Sequence, residues 1–271
     1  MTKKERVDVL LVERGLIETR EKAKRTVMAG LVYANEVRLD KPGEKIERDT
    51  PLTIKGAVMP YVSRGGFKLE KAIKEFNVHV ADKIMIDIGS STGGFTDCAL
   101  QNGAKMSYAL DVGYNQLAWK LRQDERVEVM ERTNFRYVTP ADLSRGLPEF
   151  ASIDVSFISL RLILPVLKTL LVPHSDVVAL FEAGREQVGK KGIVRDSKVH
   201  EEVLQGMVDF SLRQGYDVYN MSYSPITGGD GNIEFLLHLR WKGERELGDN
   251  QAPLTVREVV EEAHKTLKEK K

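Results

Sequence analysis

From Ile84 onward, compact apolar runs alternate with helical patterns, whereas the residues before Pro60 show only short alternations of apolar and polar positions. The runs Ile84–Ile88, Met106–Leu110, Val127–Met130, Ser152–Phe157 and Asp176–Leu180 predict strands, and Leu160 to Leu171 predicts a helix between two of them. Strands and helices taken in turn make a largely parallel sheet covered on both sides. Asp217–Tyr223 and Ile233–Leu239 predict two further strands joined by the glycine-rich loop Ser224–Asn232. A narrow apolar stripe of Val256, Val259, Val260, Ala263 and Leu267 predicts a packing helix over Val256 to Lys271.

The N-terminal part follows another pattern. Val7, Leu10 and Leu11 give a short helix one apolar face, and it ends near Gly15. Thr19 can cap a second helix from Arg20 to Ala29, which Gly30 stops. Leu31–Ala34, Glu36–Leu39 and Leu52–Lys55 then predict small antiparallel strands. Such a unit, of about sixty residues, stands at the lower limit of independent stability. Arg20, Lys22, Lys24 and Arg25 crowd two turns of the second helix; they suit a phosphate backbone or form a solvated helix face. Met59–Val62 reads as a short linker, so the expected division is 1–58, a linker over 59–62, and 63–271. The second part opens with a helix in which Phe67, Ala72 and Phe76 face a core and Lys68 and Lys71 point elsewhere.

Between the predicted strand Ile84–Ile88 and the helix after it lies a turn of small residues. A ligand could lie there against bare N–H groups at the positive end of a helix, meeting Asp87, Gly89, Ser90, Ser91, Thr92, Gly93, Gly94, Phe95 and Thr96. The glycines do not have the G-x-G-x-x-G spacing of a dinucleotide site. Gly89 and Gly94 have P-loop spacing, but Phe95 stands where a triphosphate would need lysine. A ligand with a carboxylate and a ribose but little phosphate remains, and S-adenosylmethionine fits. Asp111, about 20 residues on, is placed to take ribose hydroxyls, or else caps a strand end.

Composition narrows the class further. Lysine and arginine number 41 against 40 acids, so any basic surface must be local. The single cysteine, Cys98, excludes a disulfide framework within the chain and suits a reducing cytoplasm. The N-terminus carries no secretion-signal pattern and no stretch is long enough to span a bilayer, so a cytoplasmic protein, a monomer, is expected. His79, His174, His200, His238 and His264 lack ligand spacing, and no metal is expected.

Arg6–Leu11, Gly15-Leu16, Thr19-Arg20, Ala23, Met28–Asn35 and Lys41–Gly43 resemble the S4 RNA-binding domain. That resemblance implies RNA contacts by Arg6, Arg20, Lys24 and Arg25, with Lys22 beside them. Ser63–Leu69, Asp87–Thr96, Asp111–Tyr114, Glu131–Asn134, Asp154–Leu160 and Phe181–Glu186 closely resemble the TlyA family, in order along essentially the whole chain. These are S4-bearing relatives of FtsJ-type enzymes that methylate cytidine ribose 2′-hydroxyls in 16S and 23S ribosomal RNA, and are often labelled hemolysin. The resemblance implies a Rossmann-like S-adenosylmethionine-dependent methyltransferase domain, α/β in class, behind a small α+β S4-like domain. It also implies ribosomal RNA or ribosomal subunits as partner, Asn134 and Asp154 beside the cofactor, and Arg64 among the RNA contacts.

The family's catalytic set is lysine, aspartate, lysine, glutamate, and the matching positions are Lys68, Asp154 and Glu234. The second lysine is absent: where relatives carry Lys-Pro-Gln, Leu180 runs straight into Phe181. We expect a missing mobile loop there, with the two α-carbons much further apart than the roughly 3.8 Å of a peptide link. A normal distance would favour a non-catalytic RNA-binding relative. A membrane-lytic protein is a further alternative, but the C-terminal helix is too polar to insert. A pseudouridine synthase would share the S4 unit but have no use for the turn at Gly89.

Overall fold

A computed structural model describes residues 4–56, 59–182, 193–228, 231–244 and 246–268. The chain divides between Pro60 and Tyr61 into two compact units.

In the first unit, β1 (Lys4–Arg6) runs into α1 (Val7–Glu13), followed by α2 (Arg20–Met28), β2 (Val32–Ala34), β3 (Val37–Leu39), β4 (Lys45–Glu47) and β5 (Leu52–Ile54). Thr19 caps α2 by accepting from the Lys22 N–H, and Gly30 ends it at φ +69°. Val7, Leu10 and Leu11 of α1 pack with Ala23 and Val27 of α2 on Val32, Leu39 and Leu52. β2 pairs antiparallel with β3 and β5. The sequence reading missed β1 and β4, which pair with each other; three-residue strands rich in lysine and glutamate carry almost no alternation signal.

The second unit contains α3 (Gly65–Phe76), β6 (Ile84–Ile88), α4 (Gly94–Gln101), β7 (Met106–Leu110), α5 (Trp119–Arg122), β8 (Val127–Met130), β9 (Phe150–Asp154), α6 (Phe157–Leu167), β10 (Ser175–Glu182), α7 (Ser197–Arg213), β11 (Asp217–Tyr223), β12 (Glu234–Trp241) and α8 (Val256–Lys268). Its described strands form one sheet in the order β11-β12-β10-β9-β6-β7-β8, parallel throughout except for β12, which runs antiparallel to both neighbours. Pleating sends alternate strand residues to opposite cores. Ile86, Ile88, Tyr108 and Ile153 face a core with residues of α6, α7 and α8, while Met85, Ala109 and Phe150 face one with residues of α3 and α4. Strand order reverses between β6 and β9, which opens a crevice beyond their carboxyl ends. Among the described residues no helix is long and apolar enough to cross a membrane.

The expected break between Leu180 and Phe181 is not found. β10 runs through both, paired with the successive residues Leu236 and Phe235 of β12. Leu180 faces the α3–α4 core and Phe181 the opposite one, as adjacent residues of an unbroken strand must. Ala183, Gly184, Arg185 and Glu186, which carry part of the family resemblance, lie outside the described residues.

Candidate functional site

The turn after β6 owes its shape to two close approaches. Gly89 sits at φ +82°, and a Cβ there would lie 2.5 Å from the Asp154 carbonyl oxygen. Gly94 opens α4 where a Cβ would meet Ser63 Oγ at 2.3 Å and the Gly66 nitrogen at 2.8 Å. Any larger residue would push α4 away from α3, or β6 from β9. The resulting cavity, about 390 Å³, is lined by Asp87, Gly89, Ser90, Ser91, Thr92, Gly94 and Phe95 on one side and by Arg64, Lys68, Asp154 and Thr227 on others.

Two expected contacts fall elsewhere. Thr96 is fully buried; its N–H and hydroxyl donate to Asp87 Oδ2 at 3.0 and 2.8 Å. Gly93 does not line the cavity, because its α-carbon faces Leu117 and Leu121. Asp87 also accepts from Ser152 Oγ at 2.9 Å, so it braces β6 to α4 and β9. Burial pushes its carboxyl up to about 6 despite these donors.

A second cavity, of about 290 Å³, adjoins the first through Gly89. Ile88, Leu110, Val112, Phe135, Val155, Leu162 and Ile163 make it mostly apolar, and Asp111 and Asn134 stand at its edge. Asp111 accepts from the Ser91 N–H at 2.8 Å and the Gly113 N–H at 2.7 Å, so its carboxylate ties the strand end to the turn after β6. Asn134 Oδ1 accepts from the Arg136 N–H and caps a short 3-10 turn. An apolar slot with acid and amide at its rim suits a purine on a ribose.

Lys68 does not point away, as its helix pattern had suggested. It is 8% exposed, with Nζ 2.9 and 2.8 Å from the two carboxylate oxygens of Glu234 and 3.6 Å from Asp154 Oδ2. Asp154 ends β9 and Glu234 begins β12, so antiparallel β12 brings its first residue to the carboxyl end of the parallel strands. Burial raises the proton affinity of both carboxyls, and the Lys68 ammonium opposes it.

The sequence reading missed Glu182, the last residue of β10 and the register partner of Glu234. Both side chains lean toward Gly228, where a Cβ would meet Glu234 Oε1 at 3.0 Å and Glu182 Oε2 at 3.2 Å. A carboxylate therefore ends the strand on which the resemblance placed a lysine. The signal was available, as an acid closing an apolar strand at the carboxyl edge of a parallel sheet.

In the N-terminal unit Arg6 and Arg20 meet on one carboxylate. Asp8 Oδ1 accepts from Arg6 Nε at 2.9 Å, and Oδ2 accepts from Arg6 Nη2 at 3.0 Å and Arg20 Nη2 at 3.1 Å. The Arg6 hydrogen bond, the largest influence, holds the Asp8 carboxyl below the usual carboxylate range against the opposing effect of burial. Lys22 pairs with Glu18 at 3.3 Å, Lys24 is exposed and Arg25 half-buried. In the second unit, the histidines separated in sequence partly converge: His200 Nδ1 and His264 Nε2 stand 2.8 Å apart. Among the described residues no group of three or more metal-ligating side chains forms.

The FtsJ-like methyltransferase family model matches residues 61–241, and the S4 domain model matches residues 5–50. YqxC of Bacillus subtilis (strain 168), named for a presumed rRNA methyltransferase activity, is 75% identical over 274 residues, covering 100% of this chain and 98% of YqxC. That alignment is longer than the 271 residues here, so YqxC carries residues this chain lacks. The 16S/23S rRNA (cytidine-2′-O)-methyltransferase TlyA of Mycobacterium tuberculosis (strain ATCC 25618 / H37Rv) is 38% identical over 252 residues, covering 91% of this chain and 94% of its own. A solved structure of a hemolysin-named protein from Streptococcus thermophilus superposes with a TM-score of 0.77 at 57% identity, covering 100% and 99% of the two chains.

Proposed function

Since this chain belongs to the TlyA family of FtsJ-like methyltransferases with an S4 domain, we propose that it methylates cytidine ribose 2′-hydroxyls in ribosomal RNA, with S-adenosylmethionine as donor. One observation carries the reading: Lys68 and Asp154 line the same cavity as the glycine turn, and Glu234 holds Lys68 there.

The residues fit the donor. In this reading the backbone of Gly89–Thr92 receives the amino-acid end, Asp111 the ribose, and the apolar slot beside Asn134 the adenine. The donor supplies an electrophilic methyl on a sulfonium, a leaving group that needs no acid. What remains for the protein is alignment and proton removal. With the second lysine absent, Lys68 is the ammonium, among the described residues, that Asp154 and Glu234 jointly hold. It aligns the hydroxyl oxygen with the methyl carbon. Asp154, made more basic by burial, would take the hydroxyl proton during the transfer. Arg64, exposed at the mouth of the cavity, and the S4 cations hold the RNA backbone.

Tritium transfer from labelled S-adenosylmethionine to 16S and 23S ribosomal RNA tests the reading, and ribose-methylation mapping then gives the nucleotide. The missing lysine favours one second reading: a relative that binds RNA and donor without transferring the methyl group. Donor binding by calorimetry with no counts in RNA would establish it.

A further inference from the structure

The buried acid of the S4 unit is held by two arginines. Asp8 is fully buried beside Val7, Leu10 and Leu11, yet its two partners reach it from solvent, with 40% of the Arg6 side chain and 54% of the Arg20 side chain exposed. They arrive from separate places, Arg6 from the end of β1 and Arg20 from the first turn of α2. Both Nη2 atoms bond the same oxygen, Oδ2, so the two guanidinium ends stand within about 6 Å of each other. A buried acid needs only one cation for charge balance, and an apolar residue would serve stability as well. The second arginine leaves the cluster with a net positive charge and both guanidiniums fixed in direction. Other cations of this unit pair differently: Arg38 with Asp40, and Lys55 with Glu36, are solvated ion pairs on the surface.

We infer that Asp8 is the positioning residue of an RNA-backbone clamp, holding Arg6 and Arg20 side by side so that their outer N–H edges grip the phosphodiester chain together. The inference rests on the proposed RNA substrate. An arginine in water must give up side-chain freedom on meeting a phosphate; these two have given it up beforehand, so the clamp binds more tightly than two independent arginines.

The test is filter binding of the full-length protein to in vitro transcribed 16S and 23S ribosomal RNA across a potassium chloride series. Asp8→Asn is expected to weaken binding about tenfold and to lower the salt slope by about two, matching the double variant Arg6→Gln/Arg20→Gln. Combining all three changes should weaken binding no further than the double variant does. Because Asp8→Asn can unfold the unit, Arg6→Lys/Arg20→Lys is measured beside it: charge is kept, the planar grip on Asp8 is lost, and weaker binding is expected. Wild-type binding by either Asp8→Asn or the lysine variant overturns the inference while leaving the RNA substrate standing. A wild-type protein that binds neither RNA removes both.

Discussion

The two charged centres of this protein are near inversions of each other. In the S4 unit a buried carboxylate is clasped by two half-exposed guanidiniums, and the surplus charge faces outward. In the methyltransferase unit a buried ammonium is clasped by Glu234 and Asp154, with Glu182 adjoining, and the surplus is negative and faces a cavity. Surplus positive charge in water attracts a polyanion without altering it. Surplus negative charge in a crevice raises the proton affinity of its members, which is what removal of a hydroxyl proton requires. In the roles proposed, the same side-chain types grip in one place and do chemistry in the other, according to which sign is outnumbered and which is buried.

Removing the clasped cation should break the second centre outright. Lys68→Ala, and likewise Asp154→Ala, is expected to lower methyl transfer by about 10³-fold or more while S-adenosylmethionine affinity changes less than about threefold. Equal loss of donor binding in calorimetry would contradict the division of roles.

A neighbouring carboxyl sharpens the role given to burial. Asp87 titrates at about 6, so folding favours its protonated form; the linked stability is full below about pH 4 and is lost as pH rises through 6. Asp87→Asn should abolish that decline, about 3 kcal/mol, in urea denaturation followed from pH 4 to 7. An unchanged pH dependence would refute the assignment.

Reversing one sign in the crevice comes next. Glu182→Lys places an ammonium opposite Glu234 and lowers the proton affinity of the crevice carboxyls, so methyl transfer should fall by about tenfold with the pH–rate profile moved to lower pH. Faster transfer would mean that the negative surplus is not what drives proton removal. The smallest effect belongs to the outer surface. Lys24→Ala should weaken RNA binding about threefold and lower the salt slope by about one, leaving the rate at saturating RNA unchanged.

How much of this was legible in advance follows from the range of each signal. The parallel sheet, the turn after β6 and the cap at Thr19 rest on local patterns, and the sequence carried them. Helix periodicity puts Lys68 off the core face marked by Phe67 and Ala72, and only the family resemblance points to it as catalytic; its burial is set by Glu234, which is distant in sequence and reaches it through the antiparallel placement of β12. Glu182 and Asp8 went unnoticed for the same reason. An acid in an apolar segment announces a cost, but its partners are fixed by tertiary structure. Thr96 was assigned to the cofactor from its place in the turn, and only the fold shows it turned inward to Asp87.

The brace formed by Asp87, Thr96 and Ser152 has a mechanical consequence. Ser152 lies two residues before Asp154 on the same strand, and Thr96 lies in the first turn of the helix behind the glycine bend. The proposed seat of the donor and the proposed proton acceptor are therefore tied through one buried carboxyl, and the Thr96 amide should resist hydrogen–deuterium exchange in the ligand-free protein as firmly as the central strands do.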